Sequence, residues 1–253
     1  PADGLMQGVD QILEQSGVEA DSIELIVHGT TLATNALIER KGARTALITT
    51  EGHRDTLEMA FENRFDQYDI HADRRPPLIG RDLRLPVSER MSYRGEPLRP
   101  LDEASVSAVF PRLRDAQIDS VAVGLLHAYA NPAHEQRVAA ILSEAMPELS
   151  ISLSSDVCPE IREYERQSTT VANAYVRPMI AGYLADLDTR LAARGLRCPF
   201  LLMTSGGSLV TIETASQFPI RLVESGPAGG AILAAHMARQ LGEDRLISFD
   251  MGG

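Results

Sequence analysis

Lysine is nearly missing from this sequence: Lys41 stands alone, and almost all of the positive charge is carried by arginine. The scarcity excludes chemistry built around a lysine. A Walker loop needs Gly-Lys-Ser/Thr and a pyridoxal enzyme needs a Schiff-base lysine; Glu39-Arg-Lys-Gly42 fits the first not at all and the second poorly. Phosphate binding would have to come from backbone N–H groups. Positive charge is short overall, with 24 Lys+Arg against 35 Asp+Glu and a net charge of −11. Neither nucleic acid nor an anionic membrane is therefore expected as a partner, since both demand clustered basic residues. Cysteine is limited to Cys158 and Cys198, without Cys or His neighbours at the spacing of a structural zinc site, which reads as two buried thiols in a reducing compartment. No apolar run approaches the ~20 residues of a bilayer span, and no basic stretch leads into an apolar one at the amino end. The expected location is the cytoplasm.

What is present is the alternation of a parallel α/β fold. With 44% hydrophobic residues in 253, the chain can bury a core as one large α/β domain or parts of two. Leu5, Val9, Ile12 and Leu13 fall at helical spacing, and Gly17 closes that run. Residues 23–28 predict a strand, followed by a turn into a helix capped by Thr30 or Thr31 and stopped by Gly42; residues 45–49 predict the next strand. From about Phe61 to Pro100 the pattern weakens into an insertion or rim, where only 81–93 alternates like an exposed strand. The alternation resumes with a helix over 102–116, a strand over 120–127, a helix over 132–146 and a strand over 150–154. Glu160 to Arg194 is the longest helical segment, and Pro178 is expected to kink or split it. A strand at 199–203 follows, then a strand from Arg221, the glycine turn Ser225 to Gly230, an apolar helix and a strand from Arg245 to Asp250.

Four polar, glycine-containing turns each follow a predicted strand: His28-Gly-Thr-Thr31, Thr204-Ser-Gly-Gly207, Ser225-Gly-Pro-Ala-Gly-Gly230 and Asp250-Met-Gly-Gly253. In a parallel sheet the carboxyl ends of strands line one edge, where anionic ligands are held by bare N–H groups. Any one of these turns is as well explained by a tight bend or a helix cap. Four together favour a phosphate or nucleotide site. Asp250, at the end of apolar residues, either faces a magnesium-bound nucleotide or caps its turn. His28 invites a nucleophile–base pair with Ser225 or Ser205, but Val223 and Pro227 replace both glycines of a Gly-x-Ser-x-Gly elbow. His53, His71, His127, His134 and His236 show no metal-ligand spacing and read as surface or satisfied core residues. The charges of Glu160-Ile-Arg-Glu-Tyr-Glu-Arg166 read as a solvated helix face, and Phe61-Glu-Asn-Arg-Phe65 as a loop.

Five segments, His28 to Ala36, Ala46 to Gly52, Pro159 to Thr170, Ser225 to Gly230 and Asp250 to Gly253, resemble in order and spacing the hydantoinase A / 5-oxoprolinase family. The resemblance spans essentially the whole chain. It implies an actin-like ATPase fold, in which two ribonuclease H-like α/β domains close over ATP and each contributes a glycine-rich phosphate loop. The Asp-x-Gly-Gly-Thr loop that opens such proteins is not found here, and the second loop stops at Gly253; the chain is accordingly expected to be an internal piece that binds nucleotide weakly by itself. Residues 1–167 would then form most of the first domain and 168–253 the linking helices and the start of the second. By the same resemblance, the subunit uses ATP and Mg2+ to phosphorylate a cyclic amide (a hydantoin, 5-oxoproline or lactam), and a metal-containing B-type subunit opens the ring. It also implies oligomers in the parent protein.

Carried over by position, Asp250 would act catalytically by positioning Mg2+, and Gly252 and Gly253 would hold phosphate. Ser225, Gly226, Gly229 and Gly230, with Ser205, Gly206 and Gly207, would line the nucleotide cleft. His28, Thr30, Thr31, Asn35, Asn63 and Arg64 would face the substrate. Competing readings are an ATP-dependent carboxylase subunit of the same family, a sugar kinase of the same fold, and a non-catalytic interface or scaffold module. A dinucleotide oxidoreductase is a further alternative that leaves Asp-Met-Gly-Gly unexplained.

Overall fold

The computed structural model describes residues 2–61, 68–71 and 75–249. Its strands are β1 (Ile26–His28), β2 (Thr45–Thr50), β3 (Arg84–Val87), β4 (Arg90–Met91), β5 (Pro97–Arg99), β6 (Ser120–Gly124), β7 (Ser150–Leu153), β8 (Phe200–Met203) and β9 (Leu209–Thr211). Its helices are α1 (Ala2–Ser16), α2 (Leu32–Ile38), α3 (Thr56–Met59), α4 (Glu103–Ser107), α5 (Phe110–Asp115), α6 (Ala133–Ala145), α7 (Ser154–Val157), α8 (Glu163–Ala193), α9 (Ile212–Gln217) and α10 (Ser225–Leu241). They form two compact units, 42–178 and 1–41 with 179–253.

The unit at 42–178 is a four-stranded parallel sheet in the order β3-β2-β6-β7. Every residue of the central strands β2 and β6 is buried, because both faces are covered. Ile48, Val121 and Val123 pack on one side with Val106, Leu113, Val138 and Leu142; Leu47 and Ala122 pack on the other with Leu57, Val171 and Ala174.

Where the sequence predicts an exposed strand over 81–93, β3 is instead a largely buried edge strand whose Leu85 registers with Ile48 of β2. Arg84 tolerates its 1% exposure because its guanidinium donates to the carbonyl of Ile79 and to Glu58. The helix predicted over 102–116 is two helices. Pro111 lies in the first turn of α5, the one place in a helix where its missing N–H costs nothing. Helix α8 runs through Pro178 without splitting, and burial of Val176, Ile180, Leu184 and Leu187 on both sides of the proline offsets the lost backbone bond. Helix α2 ends before Gly42, with Arg40 in the left-handed region at φ 55.

In the other unit β1 and β8 are parallel, and β8 turns through Gly207 at φ +78 into antiparallel β9, a strand the sequence pattern does not disclose. Helix α1 ends as expected at Gly17, whose N–H donates to Leu13 O. Three expectations for the last thirty-odd residues need correction. Residues 219–222 form a short 3-10 helix opened by Pro219, not a strand. Ser225 to Gly230 is not a free turn but the opening of α10. Residues 245–249 are not a strand: no described strand lies alongside to pair with them, and Ile247 and Phe249 are exposed. The thiols of Cys158 and Cys198 are free but half-buried rather than buried. No helix among the described residues is long and apolar enough to cross a membrane.

Candidate functional site

Because β1 and β8 run parallel, with His28 opposite Leu202, the segments that follow them leave from the same edge of the sheet. After β1 the chain turns directly into α2. Thr30 Oγ1 accepts the N–H of Leu32 at 3.2 Å, so Thr30 rather than the N-cap residue Thr31 satisfies a free donor of the first turn. Asn35 lies exposed on α2.

The glycine-rich start of α10 is fastened to this turn from the other side. Glu224, in the left-handed region at φ 62, donates its N–H to Thr34 Oγ1 at 3.2 Å, and the buried Ser225 hydroxyl donates to the Thr30 carbonyl at 3.3 Å. The Ser205 N–H donates to Arg221 O at 2.9 Å, which ties the β8–β9 turn to the segment leading into α10. Three of the four turns predicted from sequence are thus drawn together within one unit. Helix geometry leaves the N–H groups of Ser225 and Gly226 without intrahelical acceptors, and Pro227 has none to offer. These donors, at the positive end of a seventeen-residue helix dipole, fit an anionic group. An added Cβ on Gly229 would meet nothing within 4 Å, and one on Gly230 only the Ser248 hydroxyl at ordinary contact distance, so packing requires glycine at neither position. Asn63, Arg64, Asp250, Gly252 and Gly253 lie outside the described residues. Among the described residues no group of three or more His, Cys, Asp or Glu is placed to hold a metal ion.

His28 is committed elsewhere than to a serine. Its Nε2 lies 3.0 Å from the hydroxyl of Tyr183, and its ring packs near those of Tyr183 and Phe200. Tyr183 carries no functional signal in the sequence because it lies within a helical run where only the tertiary partner discloses a role. Burial lowers the His28 pKa beneath the ordinary histidine value of 6.5. An unfolded chain therefore takes up a proton that the folded chain refuses, so stability is complete above the ordinary value and declines as pH falls through it. His53, also lowered by burial, contributes with the same sign. His28→Gln is expected to flatten, though not abolish, the fall of urea midpoints between about pH 7 and 5; an unchanged slope would remove His28 as a source.

The parallel α/β sheets, with their likeness to the solved caprolactamase and acetone carboxylase structures, define the class, an actin-like ATPase type of fold. Residues 1–146 match the hydantoinase/oxoprolinase N-terminal region and residues 166–253 match hydantoinase/oxoprolinase. The chain belongs to the hydantoinase/oxoprolinase family. It is 34% identical to the caprolactamase subunit alpha of Pseudomonas jessenii over 100% of this chain and 38% of that protein. It is 35% identical to the acetophenone carboxylase gamma subunit of Aromatoleum aromaticum over 91% of this chain and 33% of that protein. The crystal structure of the ATP-dependent caprolactamase from Pseudomonas jessenii superposes with a TM-score of 0.86 at 33% identity, covering 98% of this chain and 37% of that one. The chain thus spans about a third of the length of these relatives.

Proposed function

We propose that this chain serves an ATP-dependent cytoplasmic hydrolase subunit that activates a cyclic amide for ring opening by a B-type partner. The observation that carries the reading is the fastening of α10 to the β1–α2 turn through Ser225 and Thr30, which sets unpaired N–H groups at the carboxyl edge of two parallel strands. ATP, with Mg2+, would supply the phosphoryl group that turns the amide oxygen into a leaving group and removes the resonance that protects an unstrained lactam from water. Ser225 and Gly226 orient the anion through backbone donors that need no rearrangement, and Ser205, Gly206 and Gly207 line the cleft beside them. Gly229 and Gly230 let it approach the helix closely. Asp250 would orient the metal and its waters, and Gly252 and Gly253 continue the phosphate loop. His28, Thr30, Thr31 and Asn35, with Asn63 and Arg64, are assigned to the substrate side.

The test is ATP hydrolysis by the chain in its natural context with its partner subunit, measured with and without hydantoin, 5-oxoproline or a lactam. Stimulation by a cyclic amide is expected; turnover indifferent to all of them, or dependent on bicarbonate and a ketone, overturns the hydrolase reading. Gly229→Ala sharpens it. In a purely structural helix this change stabilises by roughly 0.5–1 kcal/mol, so a stabilised variant with impaired ATP turnover is expected. Stabilisation with unchanged turnover would remove Gly229 from the site.

A further inference from the structure

We infer that the carboxyl edge of the parallel sheet in residues 42–178 holds a separate polar site, where Arg90, oriented by His53, donates to the C=O and Glu163 accepts from the N–H of a small cyclic amide. The inference rests on the function proposed above and adds a second place for its substrate, in addition to the substrate side assigned to His28, Thr30, Thr31 and Asn35.

Three neighbouring parallel strands bring the groups together. His53 lies in the turn after β2, Glu89 and Arg90 follow β3, His127 and Tyr129 follow β6, and Glu163 opens α8. Arg90 Nη1 lies 2.8 Å from His53 Nε2. A guanidinium can only donate, so Nε2 accepts and the ring proton sits on Nδ1. Burial first, and the charge of Arg90 second, hold the His53 pKa below its ordinary value, which keeps that neutral form at neutral pH; Glu163 and Glu89 act on the same ring in the opposite sense.

The remaining capacity of each group decides what the site can take. Glu89 is spent. It is buried, its Oε2 is 2.8 Å from His134 Nδ1, and its other oxygen takes the Thr50 hydroxyl, whose oxygen in turn accepts the Leu126 N–H. Arg90 is not spent: among the described residues no carboxylate comes within 4.0 Å of its guanidinium, and its bond to a neutral imidazole leaves further N–H groups and its charge open. The Nδ1–H of His53 likewise has no partner among the described residues. Glu163 makes no hydrogen bond among them, its nearest cations being Arg166 Nη2 at 3.8 Å and His127 Nδ1 at 3.9 Å, and its side chain is 31% exposed. His127 is held in the left-handed region at φ 54 with its Nδ1 3.3 Å from the Tyr129 hydroxyl, a local strain of the kind found where a binding group is positioned.

Half-buried donors after β2 and β3, and a half-buried acceptor beside the residue His127 that follows β6, therefore leave the same sheet edge with their capacity unspent. A simple anion would pair with Arg90 but be repelled by Glu163. An amide answers both, provided its C=O and N–H lie on the same edge. A small ring enforces that cis arrangement, whereas open-chain amides are trans and present the two groups on opposite sides.

The experiment is an NMR titration of the histidine ring signals of this chain with caprolactam, N-methylacetamide and acetate. Caprolactam is expected to move the His53 and His127 signals saturably, and N-methylacetamide and acetate not to. Arg90→Met and Glu163→Leu are each expected to weaken caprolactam binding by about tenfold or more, the loss of a hydrogen bond to a charged group, while Glu163→Gln, which retains an acceptor oxygen, weakens it less. Should Arg90→Met fail to fold, the Glu163 pair carries the test alone. Unmoved ring signals, equal binding of acetate, or variants that titrate like the parent overturn the site. Cyclic-amide-stimulated ATP turnover with an unchanged amide KM in Glu163→Leu would remove this site and leave the proposed function standing. Saturable caprolactam binding here without amide-stimulated turnover would do the reverse.

Discussion

Replacing Glu135 by alanine is expected to lower the free energy of unfolding by about 3–5 kcal/mol. Glu135 is wholly buried, and its carboxylate accepts from the Leu125 N–H at 2.9 Å, the Ser154 hydroxyl at 2.6 Å and the Ser155 N–H at 2.9 Å. Burial raises its pKa, and the same three donors pull it back. One side chain of α6 thereby holds the segment leaving β6 to the start of α7. Alanine would strand three donors, two of them backbone groups that cannot turn to water, at about 1–3 kcal/mol each before relaxation. Glu135→Gln retains a carbonyl oxygen and the volume, so a smaller loss is expected. Urea midpoints at constant m-value measure both. A loss below about 1 kcal/mol in the alanine variant would show that water reaches these donors.

Gly42→Ala is expected to cost about 3 kcal/mol, at the upper end of the usual range for overpacking. The reason is not φ. An added Cβ would lie 2.2 and 2.3 Å from ring carbons of Tyr175 and 2.6 Å from its carbonyl oxygen. A ring can swing aside, but that carbonyl is fixed in α8 and also accepts the Ala43 N–H at 2.8 Å. Gly42→Ala/Tyr175→Ala should therefore show no recovery beyond what removal of the ring relieves. A midpoint for Gly42→Ala within about 0.5 kcal/mol of the parent would mean that strand β2 does not enter beneath α8 as closely as described.

The expectation for Gly42 shows how far pattern reading reaches. A glycine after a helical run is legible as a stop, yet α2 ends earlier, and the residue is needed for a contact with a helix more than a hundred positions away. The charged run around Arg166 fails for a related reason. Spacing suggests a solvated face, but Arg166 is fully buried, donating to the Glu160 and Leu125 carbonyls beneath the ring of Tyr129. Periodicity identifies which residues share a helix face; it does not say what that face meets.

The sequence by itself determined the α/β class, because apolar β-strand runs alternating with helices, punctuated by glycine, leave a parallel sheet covered on both faces as the economical arrangement. It also disclosed the family, through motifs whose order survives wherever they fold, and it singled out the polar turns at His28, Thr204 and Ser225. Only the tertiary structure decided that Ser225 opens a helix and bonds to Thr30, and that Arg90 reaches His53 while Glu89 is already taken. Each of those facts depends on which donor reaches which acceptor across a long stretch of chain. Hydrogen-bond capacity is a property of a residue type, but whether that capacity is spent is a property of the fold.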